Sequence, residues 1–289
     1  MGNSGTASSY GLNNSDESTA ALYNGSFDAR GGVEAYGIYN GGPGETNLSA
    51  YGISASGGGA SNSNGGLKNV DDGGADLRRA SFTAEGGTNA YGIMNTSATL
   101  NAEFVSCHAF LASDSNYGFF TQNGEDIDLN RGNFGGEGGD YAYGIYNSNS
   151  LSFLQAHSSK SLAFSGAIAN YGLYNSNTVG ILQYSTFIGH GGASAYGIYN
   201  TGSTGFVGAM SAEIRAENGT SFNYGIFNTG DAVAQIKHCL IEGPTNSVFL
   251  DSGYVWLSQT EITDPVSGSV SCSIVNRGST VSTDGTTCP

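Results

Sequence analysis

Three glutamates and one arginine are the first candidates for chemistry. In Glu213-Ile214-Arg215, Ile241-Glu242 and Glu261-Ile262 a carboxylate adjoins an isoleucine. Strands that turn these isoleucines inward must turn Glu213, Glu242 and Glu261 outward. If the strands stack, Glu213 and Glu261 fall two levels apart, about 9–10 Å. That separation suits an acid–base pair cleaving a glycosidic bond with inversion. The competing reading is structural: the acids solvate a strand, and Arg215 pairs with Glu242 on the next one.

Other constellations are thinner. Gly135-Gly136-Glu137-Gly138-Gly139-Asp140 matches a calcium-binding nonapeptide pattern, but it occurs once, whereas shared calcium sites need tandem copies. A Gly-rich turn is the expectation there and at Asp71-Asp72-Gly73-Gly74-Ala75-Asp76, with calcium the only cofactor the sequence raises. His108, His157, His190 and His238 show no metal-ligand spacing. Of the cysteines, Cys272 and Cys288 close a short C-terminal segment, and a cross-link there would contribute about 3 kcal/mol and imply an oxidising compartment. Cys107 and Cys239 are too far apart to pair and read as buried thiols.

Composition removes whole classes of function. The chain has 289 residues, a net charge of −15 and 9 Lys plus Arg. Nucleic-acid binding needs a cationic stripe, which three lysines (Lys68, Lys160, Lys237) cannot supply, and anionic membrane surfaces are disfavoured for the same reason. No apolar run approaches the roughly 18 residues of a membrane span, and no signal peptide is visible. Met1–Thr6 fits the loose N-myristoylation pattern, which a Gly/Ser-rich start produces by chance.

The elements that position these groups come from a repeat. Tyr-Gly-Ile-Tyr-Asn occurs at Tyr36–Asn40, Tyr143–Asn147 and Tyr196–Asn200, with variants starting at Tyr10, Gly65, Tyr91, Tyr117, Tyr171 and Tyr224. Degenerate copies are read at Ser247–Asp251 and Cys272–Asn276, and the spacing is about 26 residues throughout. A five-residue apolar/polar alternation is a strand. One apolar column per coil (Leu12, Ile38, Leu67, Ile93, Phe119 and onward) stacks into a continuous core. Asn14, Asn40, Asn69, Asn95, Asn147, Asn175, Asn200 and Asn228 occupy the fifth position, where stacked amides form a hydrogen-bond ladder. A second strand per coil is read at Ser81–Thr83, Ser185–Ile188, Cys239–Ile241 and Thr260–Ile262, several followed by a Gly pair. Tyr51-Gly52-Ile53 is out of step and reads as a look-alike elsewhere in its coil.

The expected fold is therefore all-β: a single-stranded right-handed parallel β-helix of roughly 10–11 coils, right-handed because parallel crossovers nearly always are. Residues 1–246 form the coils and 247–289 a degenerate C-terminal end with a disulfide cap. Met1–Ser9 offers no amphipathic helix to cover the first coil, so that coil is expected to be incomplete, ragged or covered by a neighbouring molecule.

The Tyr-Gly-Ile-Tyr-Asn repeats and the ending Gly268-Ser269-Val270-Ser271-Cys272 … Cys288 resemble uncharacterised bacterial right-handed parallel β-helix repeat proteins. More distantly the architecture is similar to pectate lyases, phage tailspikes and bacterial adhesins. The resemblance implies the fold and a Cys pair at this end, and supplies no catalytic motif.

The fourth position of the repeat is the most informative for binding. It holds Tyr39, Met94, Phe120, Tyr146, Tyr174, Tyr199 and Phe227, opposite the inward Ile, with Gly two residues back. Strict alternation makes this a flat outer face carrying an aromatic row, a stacking platform for sugars or an interface with another chain. The alternative is a bend that turns the aromatics inward. The expected function is a non-enzymatic extracellular or cell-surface module, bacterial or of a phage virion, adhering to a glycan or surface protein. The alternatives are a polysaccharide-degrading enzyme and a structural subunit of an oligomer or filament, including end-to-end stacking at the N-terminal coil. No outward Thr array suggests ice binding.

Overall fold

The computed structural model describes residues 7–149, 153–273, 275–277 and 280–282. These residues contain strands and turns and no helix. Three sheets of 11, 11 and 12 strands wrap one axis, and every pairing within the solenoid is parallel save a terminal hairpin between Val275–Arg277 and Thr280–Ser282. About nine full turns of roughly 27 residues are followed by shorter terminal ones, which bring sheets 1 and 2 to 11 strands. Each turn contributes one strand to each sheet, so the coil has three strands where the sequence suggested two. Sheet 1 carries the Tyr-Gly repeat (Glu34–Asn40, Asn89–Thr96, Tyr141–Ser148 and equivalents). Sheet 2 is the one the repeat does not announce (Val179–Gln183, Phe206–Met210, Val233–Lys237, Tyr254–Ser258). Sheet 3 holds the strands expected as the second (Ser81–Glu85, Thr186–His190, Glu213–Glu217).

The core is a set of columns. Ile38, Leu67, Ile93, Phe119, Ile145, Leu173, Ile198 and Ile226 are fully buried and in register. The glycine before each also points inward. A Cβ on Gly172 would meet Ile188 N at 2.6 Å and Phe187 C at 2.9 Å, so only glycine lets sheet 1 close onto sheet 3. Two consecutive inward residues bend the strand, and the alternation predicted across the motif therefore fails.

Two corners are specified by side chains. Between sheets 2 and 3 each turn has one left-handed residue, such as Arg131, Ser158, Tyr184, Ser211 and His238, with φ between 50° and 55°. The residue that follows is buried, and in three turns its hydroxyl caps the corner: Ser159, Ser185 and Thr260 each place their one O–H donor within hydrogen-bond distance of two backbone carbonyls. Cys239 fills the same place, with its Sγ 3.2 Å from Lys237 O and 3.6 Å from Ala209 O. Between sheets 1 and 2 the fifth-position asparagines form two runs of a ladder, Asn14–Asn40–Asn69–Asn95 at 2.6–2.7 Å and Asn147–Asn175–Asn200–Asn228 at 2.8–3.0 Å. Thr121 separates the runs, and its buried hydroxyl has no partner.

A longer period is also present. Just before the tyrosine position, Ala35, Asn64, Ala90, Asn116, Ala142, Asn170, Ala195 and Asn223 alternate turn by turn. The asparagines clamp the preceding corner (Ala112 N donates to Asn116 Oδ1, and Asn116 Nδ2 to Ala112 O). Turns with alanine instead carry Gly31-Gly32, Gly86-Gly87, Gly138-Gly139 or Gly191-Gly192 in left-handed conformation. A Cβ on Gly87, Gly139 or Gly192 would press on the asparagine amide one turn below, so the two kinds of turn require each other. The structural unit is a pair of coils.

Three expectations are corrected at the ends. The first coil is complete: Ser9–Asn14, Thr19–Tyr23 and Ser26–Arg30 pair with the second coil in all three sheets. The tenth repeat is Asn246–Leu250, one residue earlier than read, because Val248 takes the inward place and Phe249 stacks on Phe227 outside. The eleventh is Val266–Ser267, and Cys272 lies in sheet 2 against Leu257. Cys272 is disulfide-bonded, Cys107 and Cys239 are free buried thiols, and Cys288 lies outside the described residues.

Candidate functional site

The fourth-position residues Tyr39, Met94, Phe120, Tyr146, Tyr174, Tyr199 and Phe227 form one column on the outside of sheet 1, as do Lys68 and Phe249. Their neighbour on that face is not the glycine, which points inward, but the first-position tyrosine. Tyr91, Tyr117, Tyr143, Tyr171 and Tyr196 make a second column, stacked at 4.7–5.1 Å. Phe120, Tyr146, Tyr174, Tyr199 and Phe227 stack at 4.9–5.2 Å with planes within 5°. Rings of the two columns meet edge to face (Tyr143–Tyr146 at 89°, Tyr196–Tyr199 at 89°).

This herringbone closes the ring faces. A sugar stacks on an open π-face, and here each face is covered by the ring one turn away. The columns offer solvent only edges and hydroxyls. Burial pushes the Tyr91 phenol up to about 12, with Asp114 adding to the effect, and burial also raises Tyr36, Tyr117, Tyr143 and Tyr171. From Tyr91 onward the aromatic face is therefore a packed slab of uncharged rings rather than a row of open platforms, with the Lys68–Glu34 ion pair at its lower edge.

On sheet 3, Ile214, Ile241 and Ile262 are fully buried, and Glu213 and Glu261 share one outer column with Leu240 between them. Arg215 binds the acids from three sides: Glu213, Glu242 at 2.8 Å and Glu217 at 3.7 Å. The cluster is a surface ion network, and Glu213 is engaged within it. In the Gly135–Asp140 segment, Gly136 is needed because a Cβ would strike Tyr143 backbone, and Gly138 and Gly139 take positive φ. Among the described residues no three His, Cys, Asp or Glu side chains converge as a metal site.

The open site lies on sheet 2, which the sequence did not single out. Register places Gln155, Ile181, Gly208, Gln235 and Trp256 in one outer column. Phe206 and Tyr254 flank it on one side, Gln183, Met210, Lys237 and Ser258 on the other. Gly208 is the floor: with no side chain there, the walls enclose a hollow of about 430 Å³. Trp256, the chain's single tryptophan, is 42% exposed at its upper rim. A Cβ on Gly208 would meet only Phe206 Cε1 at 3.1 Å and Ile181 Cδ1 at 3.4 Å, ends of side chains that can move. Packing therefore does not demand this glycine, unlike those of sheet 1. Apolar walls with a few amides and one ammonium are the usual chemistry of a small-ligand site. The signal available in the sequence was Trp256 itself.

Comparison with protein-family models, with curated proteins and with solved structures finds no match for the chain.

Proposed function

We propose that the chain is a non-enzymatic extracellular or cell-surface module that binds a glycan in the sheet 2 hollow. The observation that carries this reading is the exposed Trp256 above the Gly208 floor, with Gln183, Gln235 and Ser258 at the rim. An indole face accepts the C–H side of a sugar ring, and amides and hydroxyls match its hydroxyl groups. The stacked strands of the solenoid hold such a site rigidly near its C-terminal end. The disulfide at Cys272 supports an oxidising compartment, and the net charge of −15 suits a surface that stays soluble. The engaged state of Glu213 weighs against the glycosidase alternative.

A glycan array followed by reducing-sugar release on the hits tests this. Binding without turnover, lost in Trp256→Ala, is expected. Turnover of a bound glycan would replace the proposal with the enzymatic reading. Capture of proteins with no array hit would move the partner from glycan to protein.

A further inference from the structure

We infer that the outer face of sheet 1 is a surface through which two copies of this chain associate side by side. This face is separate from the sheet 2 hollow, and from Asn89 onward its strands lack charge. The strands Asn89–Thr96, Ser115–Gln122, Tyr141–Ser148, Ala169–Ser176, Ser194–Thr201, Phe222–Asn228 and Asn246–Leu250 are consecutive in sheet 1 and contain no Asp, Glu, Lys or Arg. Strands of the other two sheets in these turns do carry charge: Glu103, Asp128 and Lys237 on sheet 2, and Glu137, Lys160, Glu213, Glu217 and Glu242 on sheet 3.

Two molecules of charge −15 repel each other over most orientations. Sheet 1 against sheet 1 is the approach that brings no strand charges together, with Asp114, Asp140 and Asp251 confined to its margins. The surfaces that then meet are the ring edges and hydroxyls of Tyr146, Tyr174 and Tyr199 with those of Tyr143, Tyr171 and Tyr196. Tyrosine is enriched in interfaces because it adds large contact area with little conformational entropy to lose. Here the stacks already hold the rings in place, so ordering on association costs still less. Both faces are the same patch, so a two-fold axis closes the pair without propagating a filament.

Area sets the strength. Seven strands span about 29 Å along the axis, and two ring columns with their polar margins are about 15–20 Å wide, giving roughly 1,000 Å² over both partners, the lower end of specific interfaces. The expected state is a reversible dimer with micromolar affinity. Salt should strengthen it by screening the net repulsion, the reverse of an association held by ion pairs.

Sedimentation velocity across about 1–200 µM protein, at low and moderate salt, tests this. Wild type should shift from monomer to dimer, and more readily with salt. Tyr174→Glu places a charge at the centre and should hold the protein monomeric throughout. Thr201→Glu, at the margin and outside the ring stacks, should weaken the dimer at least tenfold with the circular dichroism spectrum unchanged. It keeps the test valid if Tyr174→Glu disturbs folding. A wild-type protein monomeric at every concentration would overturn the inference. So would association that Thr201→Glu leaves intact, or one that salt dissolves.

Discussion

Replacing Thr121 by asparagine should stabilise the protein. Thr121 interrupts the amide ladder between Asn95 and Asn147, and its buried Oγ1 has no partner. In the intact runs each Nδ2 donates to the next Oδ1 at 2.6–3.0 Å. The amide introduced by Thr121→Asn would receive from Asn95 Nδ2 and donate to Asn147 Oδ1, an oxygen with two lone pairs. Two added bonds at about 1 kcal/mol each, with the orphaned hydroxyl removed, outweigh the rotamer entropy lost, for a net gain of about 2 kcal/mol. With an unfolding entropy of about 2.1 cal/mol/K per residue, that raises the melting midpoint by roughly 3 °C. The corner accepts an asparagine beside a glycine elsewhere in the ladder: a Cβ on Gly73 would meet Asn69 Oδ1 at 2.7 Å, as one on Gly124 would meet Thr121 Oγ1. Thermal denaturation followed by far-UV circular dichroism reads the shift. The break coincides with a bulge where Thr99 pairs with Glu125 and Leu100 with Ile127. An unchanged or lower midpoint for T121N would show that this bulge, not the missing amide, sets the local geometry, and would refute the ladder account.

Other expectations follow from the same contacts. Asn175→Ala removes bonds to Asn200, Thr178 O and Phe206 O and takes away the acceptor that Asn147 Nδ2 uses in the ladder, so urea unfolding should show a loss of about 3 kcal/mol. Cys239→Ser should be neutral or stabilising, since a hydroxyl there repeats the bonds of Ser185, whereas Cys239→Val should cost about 1–3 kcal/mol. Burial raises the thiols of Cys107 and Cys239, so both should resist thiol reagents at neutral pH until the chain unfolds. Tyr91 is raised from 10.0 to about 12 in the folded state. Its contribution, about 3 kcal/mol, is present in full below pH 10 and is lost as pH climbs towards 12. Stability should therefore fall across that window, and phenolate absorbance should lag behind the exposed tyrosines.

How much of this was legible in the sequence depends on repetition. The fold was, because the inward Leu/Ile column and the Asn column recur at one spacing that only a stacked solenoid satisfies. The bend at glycine was not. Nothing in Tyr-Gly-Ile-Tyr-Asn says that Gly172 lies against Ile188 in another sheet, yet that contact puts Tyr171 and Tyr174 on the same face and closes their ring faces. Sheet 2 was overlooked for a different reason. Its inward positions vary among Ala, Leu, Ile, Val and Gly, and its outer positions among Phe, Ile, Gln and Trp, so no phrase marks it. A ligand site breaks a repeat locally, and reading by repetition passes over such breaks. The last two coils were misplaced by the same habit, since Asn246–Leu250 keeps the burial pattern and loses the residues that spell the motif.

Because Trp256 is the single tryptophan, its emission reports on the sheet 2 hollow and nowhere else. The decisive measurement is a fluorescence titration of the intact protein with oligosaccharides drawn from array hits, repeated on Gly208→Val, which fills the floor and leaves Trp256 in place. The account predicts a saturable change in emission for wild type and at least a tenfold weaker response for Gly208→Val. Binding seen by calorimetry that neither alters Trp256 emission nor responds to Gly208→Val would contradict it.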